Sequence, residues 1–369
     1  MSKILHSNMK ENNYSLILRA IFINKSIERV NLVKETLLSP STVTRCVSKL
    51  VKTGIVIERG TSSENRVGRK AITLEMNPEA FKVLLVDIGA SKTNYAIGFL
   101  NGSLNKIKAI ETPKKFEEVL ENVYELLKDY KDIEFVSFSI PGMVDVDNNE
   151  ILFVPSRGWR NIKINVPGKR IFADNEANLA MITEAFQNEN IRNSKCSVFV
   201  TVREGFGTGL WINGEIFRGP SFSAGEFGHT IIDIKSNEIC HCGNRGCVEQ
   251  YTSLSKYFGK NFELKKYLKG SSIKKDSKLK EYTEILSKAL VNIVNSLNPE
   301  YIIVGGELSG LPRTFYEEIE DLVKKSSLEH ASKILKILPP TFTNDTYLYG
   351  ALYATIENFF IPEIIESIK

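Results

Sequence analysis

The sequence of 369 residues lacks the features that would direct it into or across a membrane. No stretch approaches the roughly 18 uninterrupted apolar residues that a membrane-spanning helix needs. The opening segment, MSKILHSNMKENNYS, has no apolar core of the kind found in signal peptides. We therefore expect a cytoplasmic protein with no membrane partner.

Cysteine is scarce and unevenly distributed. Of the five cysteines, Cys240, Cys242 and Cys247 fall within eight residues of one another. Because the cytoplasm is reducing, such clustering favours a bound metal ion over disulfide bonds. Cys46 and Cys196 lie in apolar stretches and are expected to be packing residues.

The net charge of +4 hides an uneven distribution. Residues 1–70 carry 13 Lys and Arg against 5 Asp and Glu, whereas the remainder carries 35 against 39. A basic first segment on a mildly acidic body suggests contact with a polyanion. Basic termini also occur in proteins that bind no polyanion, so charge alone does not decide the function. The length indicates two or three domains.

The basic segment has the pattern of three short helices followed by a pair of strands. Apolar spacing predicts helices over 14–22 and 29–36, the second with Val30, Val33 and Leu37 facing inward. A third helix is predicted to begin at Pro40, because Ser39 is a good N-cap and proline suits the first helical position. Strands over 55–58 and 71–74 then flank a basic loop, which completes the pattern of a winged helix-turn-helix.

A winged helix-turn-helix places its third helix in the major groove of DNA. The candidates for DNA contact lie on this helix and on the wing: Ser41, Thr42, Thr44 and Arg45 at base edges, Ser48 and Lys49 on the backbone, and Arg66, Arg69 and Lys70 in the wing. The alternative is a small helical protein-interaction module with incidental positive charge.

From Phe81 onward strands and helices alternate, which predicts an α/β body with two lobes. We expect three units: a winged helix-turn-helix over 1–75, a first lobe over 80–185 joined by a C-terminal helix over 345–369, and a second lobe over 186–344 that contains the cysteine cluster. No internal repeat is visible.

The cysteine cluster has the spacing of a structural metal centre. Three thiolates, Cys240, Cys242 and Cys247, and one imidazole make a closed tetrahedral zinc site. His229 is the preferred fourth ligand. His241 is the alternative, although its position between two cysteines strains it for that role. A set of free buried thiols is the remaining alternative.

Several motifs resemble those of the ROK family (repressors, open reading frames, kinases). The E-x-G-H run ending at His229 and the C-x-C-G-x-x-G-C-x-E run ending at Glu249 match its signature. The segment LSPSTV over 38–43 resembles the N-terminal domain of xylose-repressor-like members, although Val67 and Lys70 depart from the usual G-G-R-P wing. The resemblance implies a two-lobed actin-like (ribonuclease H-like) sugar-kinase fold behind the winged helix.

The resemblance also implies roles for five residues at a sugar site. The implied sugar-binding residues are Asn175, Glu176, Glu226, His229 and Glu249, with His229 also a zinc ligand. Carboxylates suit this task because each accepts two hydroxyl donors in charge-assisted bonds. The alternative for Glu226 and Glu249 is that they orient a neighbouring ligand or the backbone.

The nucleotide-handling positions of ROK kinases are altered in this chain. Their counterparts are Asp87, Gly89, Ser91, Gly205, Gly207, Gly305 and Gly306. Ala90 adds a Cβ where backbone must approach phosphate, and Glu204 following Arg203 brings a repulsive carboxylate. The catalytic base of the kinases, an Asp, is replaced by Glu176, which is one methylene longer.

The sequence therefore predicts a sugar-responsive DNA-binding regulator of carbohydrate-utilisation genes, a repressor with structural zinc. Its expected partners are operator DNA, a hexose or related sugar, and further copies of itself in a homodimer or higher oligomer. The alternative is an ATP-dependent kinase of glucose, mannose, fructose or N-acetylhexosamine that needs Mg²⁺ and uses Glu176 as base. A purely structural or protein-interaction module is the third possibility.

Overall fold

A computed structural model describes residues 2–60, 72–89, 91–203, 205–259, 264 and 277–368. The N-terminal unit, here called the head, consists of α1 (Ser2–Asn24), β1 (Ile27–Glu28), α2 (Arg29–Thr36), α3 (Pro40–Lys52), β2 (Val56–Gly60) and β3 (Ile72–Met76). Its three strands form one sheet in the order β1-β3-β2. The predicted wing residues Arg66, Arg69 and Lys70 lie outside the described residues, as do Ala90 and Glu204.

Helix α3 begins as the sequence predicts. Ser39 is its N-cap and accepts a hydrogen bond from the Thr42 N–H, while Pro40 takes the first helical position. The side chains of Val43, Val47 and Leu50 are buried on one face of the helix. Burial of this single apolar face leaves the opposite face of α3 toward solvent.

The inward face of α2 differs from the prediction. Leu32 is fully buried, whereas Val30 is 63% exposed and Leu37 is 89% exposed. Leu37 has left the helix and adopts a left-handed conformation with φ 57°, so its side chain points away from the core. The prediction that Val30 and Leu37 face inward was therefore wrong.

The first lobe is built on a five-stranded sheet in the order β11-β7-β4-β5-β6. Its strands are β4 (Lys82–Ile88), β5 (Lys92–Phe99), β6 (Leu104–Glu111), β7 (Phe135–Ile140) and β11 (Arg170–Asn175), and α4 (Phe116–Asp129) connects β6 to β7. A small antiparallel sheet, β8 (Met143–Asp145), β9 (Glu150–Val154) and β10 (Trp159–Lys163), follows β7. Strands β4, β7 and β11 run parallel, so their carboxyl ends meet at one edge.

The second lobe repeats this arrangement with different residues. Its sheet has the order β14-β13-β12-β15-β16, in which β12 pairs antiparallel with β13 and parallel with β15. The strands are β12 (Cys196–Val202), β13 (Phe206–Ile212), β14 (Glu215–Ile216), β15 (Tyr301–Gly306) and β16 (Lys336–Leu338). The helices are α6 (Glu189–Arg192), α7 (Val248–Thr252), α8 (Leu254–Phe258), α9 (Ser277–Leu297), α10 (Arg313–Ser326) and α11 (Glu329–Ile334).

Two helices join the lobes. Helix α5 (Glu176–Gln187) packs on β12 and β13, whereas α12 (Thr346–Thr355) packs on β4 and β7, and the two helices pack against each other. Their contact is close at Gly350, where a Cβ would lie 1.9 Å from the carbonyl oxygen of Leu179. Only glycine fits there, so the absence of a side chain lets the two helices approach closely at this point.

The head shares its hydrophobic core with the first lobe. One continuous cluster of buried side chains includes Ile17 and Ile21 of α1 together with Leu348 and Leu352 of α12. After α12 the chain continues through a π-helical turn (Ile356–Phe360) into α13 (Ile361–Ser367), which packs on α1. Arg19 forms an ion pair with Glu357 at 2.7 Å.

Among the described residues, no helix combines the length and the hydropathy needed to cross a membrane.

Candidate functional site

A cavity of about 560 Å³ opens where α5 begins, between the carboxyl ends of the first sheet and the loops of the second lobe. All five residues predicted to bind sugar line it: Asn175, Glu176, Glu226, His229 and Glu249. Apolar walls are supplied by Met143, Phe153 and Phe222. A cavity with convergent carboxylates and apolar walls suits a small ligand that carries several hydroxyl groups.

Asn175 and Glu176 stand at the junction of β11 and α5. Asn175 caps the helix, its Oδ1 accepting from the N–H of Ala177 at 2.7 Å, while its Nδ2 donates to the Gly142 carbonyl at 2.8 Å. Glu176 is the first helical residue, where the helix dipole favours a carboxylate. The cap fixes the first turn, which therefore presents the Glu176 carboxylate to the cavity.

Arg203 pairs with Glu176 across the cleft. It directly follows β12, and its Nη1 lies 2.5 Å from Glu176 Oε2. Its Nη2 lies 3.6 Å from Asp87 Oδ2, and its Cζ lies 4.4 Å from the centroid of the Tyr347 ring. Burial works against the charged guanidinium, but the carboxylates of Glu176 and Asp87 outweigh it and raise the pKa of Arg203.

Glu226 and His229 lie on the opposite wall. The Nε2 atom of His229 is 3.7 Å from Glu226 Oε2, while its Nδ1 is 3.6 Å from the Cys240 sulfur. Burial raises the pKa of Glu226, and the nearby Glu249 raises it further, whereas His229 lowers it. His229 therefore touches both the cavity and the cysteine cluster, one ring nitrogen to each.

The ligand atoms of His229, Cys240, Cys242 and Cys247 all lie within 4.8 Å of one another, so these residues could hold a metal ion. The sulfurs of Cys242 and Cys247 are 3.6 Å apart. Tetrahedral zinc with Zn–S bonds of about 2.3 Å needs sulfur–sulfur edges of about 3.8 Å. The donor set and its spacing therefore fit zinc. His241 is not part of this group and instead lines the cavity.

Only some of the residues predicted to handle nucleotide line the cavity. Gly205 and Gly207 line the cavity, whereas Asp87, Gly89, Ser91, Gly305 and Gly306, all described, are not among its lining residues. Asp87 is 4% exposed and accepts hydrogen bonds from Ser139 Oγ and Asn94 Nδ2. Gly305 and Gly306 end β15 beside β12.

The solvent face of α3 carries the predicted DNA-contacting residues. Ser41, Thr44, Arg45, Ser48 and Lys49 are exposed, and Thr42 is half-buried. The Lys49 ammonium donates to the Ile368 carbonyl at 3.1 Å, which ties α3 to the last helix.

A second ion pair across the cleft was not predicted. Arg218, in the loop after β14, places its Nη2 2.6 Å from Oδ2 of Asp174, which is 1% exposed. Oδ1 of Asp174 accepts from the N–H of Asn175 and from Asn178 Nδ2. The sequence did contain a sign that Asp174 is functional. It lies near the carboxyl end of a buried strand, and ligand-binding residues gather at that edge of such a sheet.

Comparison with known proteins places these observations in a family context. The sequence profile described as the ROK family matches residues 83–357. The chain is 25% identical to a xylose repressor of Caldicellulosiruptor bescii, over 96% of this chain and 97% of that protein. It is 26% identical to a xylose repressor of Bacillus subtilis, over 95% of this chain and 96% of that protein.

Solved structures show the same fold. A ROK family transcriptional regulator, described as a homologue of the Escherichia coli MLC protein, superposes with a TM-score of 0.73 at 20% identity, covering 97% of this chain and 99% of that one. A ROK family glucokinase from Streptomyces griseus, solved with glucose and AMPPNP, gives a TM-score of 0.61 at 21% identity over 73% of this chain and 98% of its own. The predicted α/β fold, a winged helix followed by a two-lobed actin-like sugar-kinase fold, is confirmed.

Proposed function

This chain belongs to the ROK family, and we propose that it is a sugar-responsive DNA-binding transcriptional regulator, a repressor of carbohydrate-utilisation genes. One observation carries the proposal. Helix α5 begins at the cavity with Glu176 and ends near Phe186, whose ring lies 6.0 Å from that of Phe22 in the head. A ligand bound at one end of this helix can therefore influence the head at the other.

The head binds operator DNA through α3. Its exposed Ser41, Thr44 and Arg45 reach base edges in the major groove, and Ser48 contacts the DNA backbone. The wing residues Arg66, Arg69 and Lys70 add phosphate or minor-groove contacts, in keeping with the charge surplus of residues 1–70. Two heads in a cytoplasmic homodimer, or more in a higher oligomer, read two half-sites.

The cavity binds a hexose or related sugar. Glu176, Glu226 and Glu249 supply acceptors for its hydroxyl groups, and Asn175 and His229 complete the polar lining. Differently placed carboxylates distinguish sugars that differ at one hydroxyl, because an unmatched buried acceptor costs free energy.

Zinc holds the loop that carries part of this site. The cluster of His229, Cys240, Cys242 and Cys247 links the segment after Glu226 to the start of α7, where Glu249 lies. When bound, zinc supplies a closed tetrahedral centre that stabilises the fold and takes no part in ligand chemistry. His229 belongs to both sites, because it binds the zinc ion that holds the loop and also faces the sugar.

The head responds because the two lobes close around the sugar. The second lobe contributes Glu226, His229 and Glu249, whereas Glu176 starts α5. Closure shifts α5 and its partner α12, both of which contact the head at their far ends. The distance between two heads in an oligomer then changes, and with it the affinity for paired half-sites.

The test begins with an operator selected from a random-sequence DNA pool. Anisotropy titrations with this DNA then scan D-xylose, D-glucose, D-mannose and N-acetyl-D-glucosamine. We expect tight binding whose affinity one sugar changes by about fivefold or more. Arg45→Ala should abolish DNA binding but leave sugar-induced thermal stabilisation intact. Glu226→Gln should do the reverse, and Arg313→Ala, an exposed change on α10, should do neither.

If the protein bound no DNA from the pool, with or without any of the sugars, the proposal that it is a transcriptional regulator would be wrong. The second candidate is an ATP-dependent sugar kinase, favoured by the position of the Glu176 carboxylate in the cavity beside the buried Asp87. A coupled ADP-release assay over hexoses and N-acetylhexosamines with Mg²⁺ decides between the two. Turnover that rises in the combined variant Glu176→Asp and Glu204→Thr would support the kinase.

A further inference from the structure

The guanidinium of Arg203 bridges two nearly buried carboxylates. It lies between two carboxylates, 2.5 Å from Glu176 Oε2 and 3.6 Å from Asp87 Oδ2, and it covers the ring of Tyr347. The side chain is 22% exposed, and Asp87 and Glu176 are 4% and 9% exposed. Two nearly buried carboxylates need a cation between them, because an unpaired buried charge is strongly destabilising.

The same guanidinium also packs directly against the backbone of Gly89, which has no side chain. A Cβ added to Gly89 would stand 2.8 Å from Arg203 Nη2 and 2.7 Å from the Lys92 carbonyl oxygen. Gly89 sits in the turn between β4 and β5, so the guanidinium fills the space above this turn. A larger residue at position 89 would displace it.

The second glycine turn is covered as well. A Cβ added to Gly205 would lie 2.5 Å from Oε2 of Glu249, so that carboxylate rests on the turn between β12 and β13. The Gly89 turn is therefore covered by the Arg203 guanidinium, and the Gly205 turn by the Glu249 carboxylate. A carboxylate at the second turn repels phosphate oxygens, and the guanidinium leaves them no room at the first.

In phosphoryl-transfer sites one or two carboxylates hold Mg²⁺, and the ion bridges them to phosphate oxygens. Here a permanent side-chain cation takes the place of the ion. Two donors of the same guanidinium engage Glu176 and Asp87, and its charge cannot be removed by deprotonation near neutral pH.

We propose that Arg203 is a built-in cation that substitutes for a divalent metal ion between Asp87 and Glu176, excludes a metal-bound nucleoside triphosphate, and holds Glu176 as a hydroxyl acceptor for a sugar that binds alone. Arg203 is thus a positioning residue. The role as sugar acceptor rests on the proposed function, whereas the substitution for a metal ion does not. Removing the guanidinium should open a divalent-cation site.

The experiment measures thermal unfolding of the full chain, with and without millimolar MgCl₂ or MgCl₂ plus ATP, and uses neither sugar nor DNA. We expect the unchanged protein to respond to neither addition. Arg203→Met should lower the apparent Tm by roughly 5–10 °C, and Mg²⁺ should restore part of the loss. Arg203→Lys should lose less, because an ammonium still supplies the charge, and the exposed control Arg313→Met should behave as the unchanged protein.

A second variant guards against failure of Arg203→Met to fold. Arg203→Met combined with Glu176→Gln removes one of the two carboxylates, so it should be more stable than Arg203→Met and lose the Mg²⁺ response. Electron paramagnetic resonance with Mn²⁺ should detect an added site in Arg203→Met that the unchanged protein lacks. Stabilisation of the unchanged protein by Mg²⁺–ATP, or full stability of Arg203→Met with no cation response, would overturn the inference while leaving the sugar and DNA titrations unaffected.

Discussion

Phe22 of the head meets Tyr353 of α12 edge to face, with 5.4 Å between the ring centroids. Phe186, near the end of α5, lies 5.0 Å from Tyr353, and the Gln187 side chain donates to the Tyr353 hydroxyl at 2.7 Å. These rings thus form one contact between the head and the two helices that join the lobes.

Replacing Phe22 with Leu should weaken the coupling between sugar and DNA. The change keeps an apolar side chain but removes aromatic contacts worth about 1 kcal/mol, which corresponds to about a fivefold change in an equilibrium constant. We expect the ratio of DNA affinities with and without sugar to fall by about that factor, measured by anisotropy. Phe217→Leu, at a side chain 48% exposed, is the matched control. An unaltered ratio in Phe22→Leu would show that the signal takes another route.

The N-cap of α3 offers a way to separate stability from DNA affinity. Ser39→Ala removes the acceptor for the Thr42 N–H and should cost about 1 kcal/mol in urea unfolding. Ser39→Asp should keep the cap but reduce DNA affinity, because its carboxylate lies close to the phosphates. Ser41→Ala should lower affinity with little loss of stability. Equal affinity for Ser39→Asp and the unchanged protein would place α3 away from the DNA.

The sequence predicted those features that depend on neighbouring residues. The cap at Ser39, the apolar face of α3 with Val43 and Val47, and the spacing of Cys240 to Cys247 are local patterns, each set by a few neighbouring residues. Leu37 was misplaced because it follows the last helical residue and takes a left-handed conformation that turns its side chain outward. Val30 lies within α2, but the head buries the side of the helix that carries Leu32 and leaves Val30 exposed.

Contacts between distant segments could not be predicted in this way. The pairing of Arg203 with Glu176 and of Arg218 with Asp174 joins residues that are 27 and 44 positions apart. The two lobes have matching strand orders although no repeat is visible in the sequence. A given sheet topology requires apolar residues at buried positions and suitable residues at turns, and many different sequences meet these requirements.

The cysteine cluster should bind about one zinc ion per chain. Cys240→Ser should lose that zinc and lower the apparent Tm, since metal binding to the folded state contributes directly to folding free energy. Cys196→Ser, on β12 outside the cluster, is the control. The measurements are metal analysis of the purified protein and thermal unfolding with and without a chelator. A zinc-free protein whose Tm is insensitive to Cys240→Ser would contradict the prediction.

Glu184 should make stability depend on pH. This residue of α5 is buried, and its Oε1 and Oε2 accept from the N–H and Oγ of Thr341 at 2.8 and 2.6 Å. Burial raises the pKa of Glu184 from 4.5 to about 7, although the two hydrogen bonds lower it. The folded state therefore holds a proton that the unfolded state has already released.

Stability from this group is fully present below about pH 4.5 and is lost as pH rises to about 7, by on the order of 3 kcal/mol. Glu184→Gln keeps one acceptor for the Thr341 N–H and carries no charge, so its unfolding free energy should not fall over this range. Urea unfolding at a series of pH values, with the exposed change Glu317→Gln as control, measures the difference. Parallel pH profiles for Glu184→Gln and the unchanged protein would mean that Glu184 is ionised throughout, with Thr341 stabilising its charge.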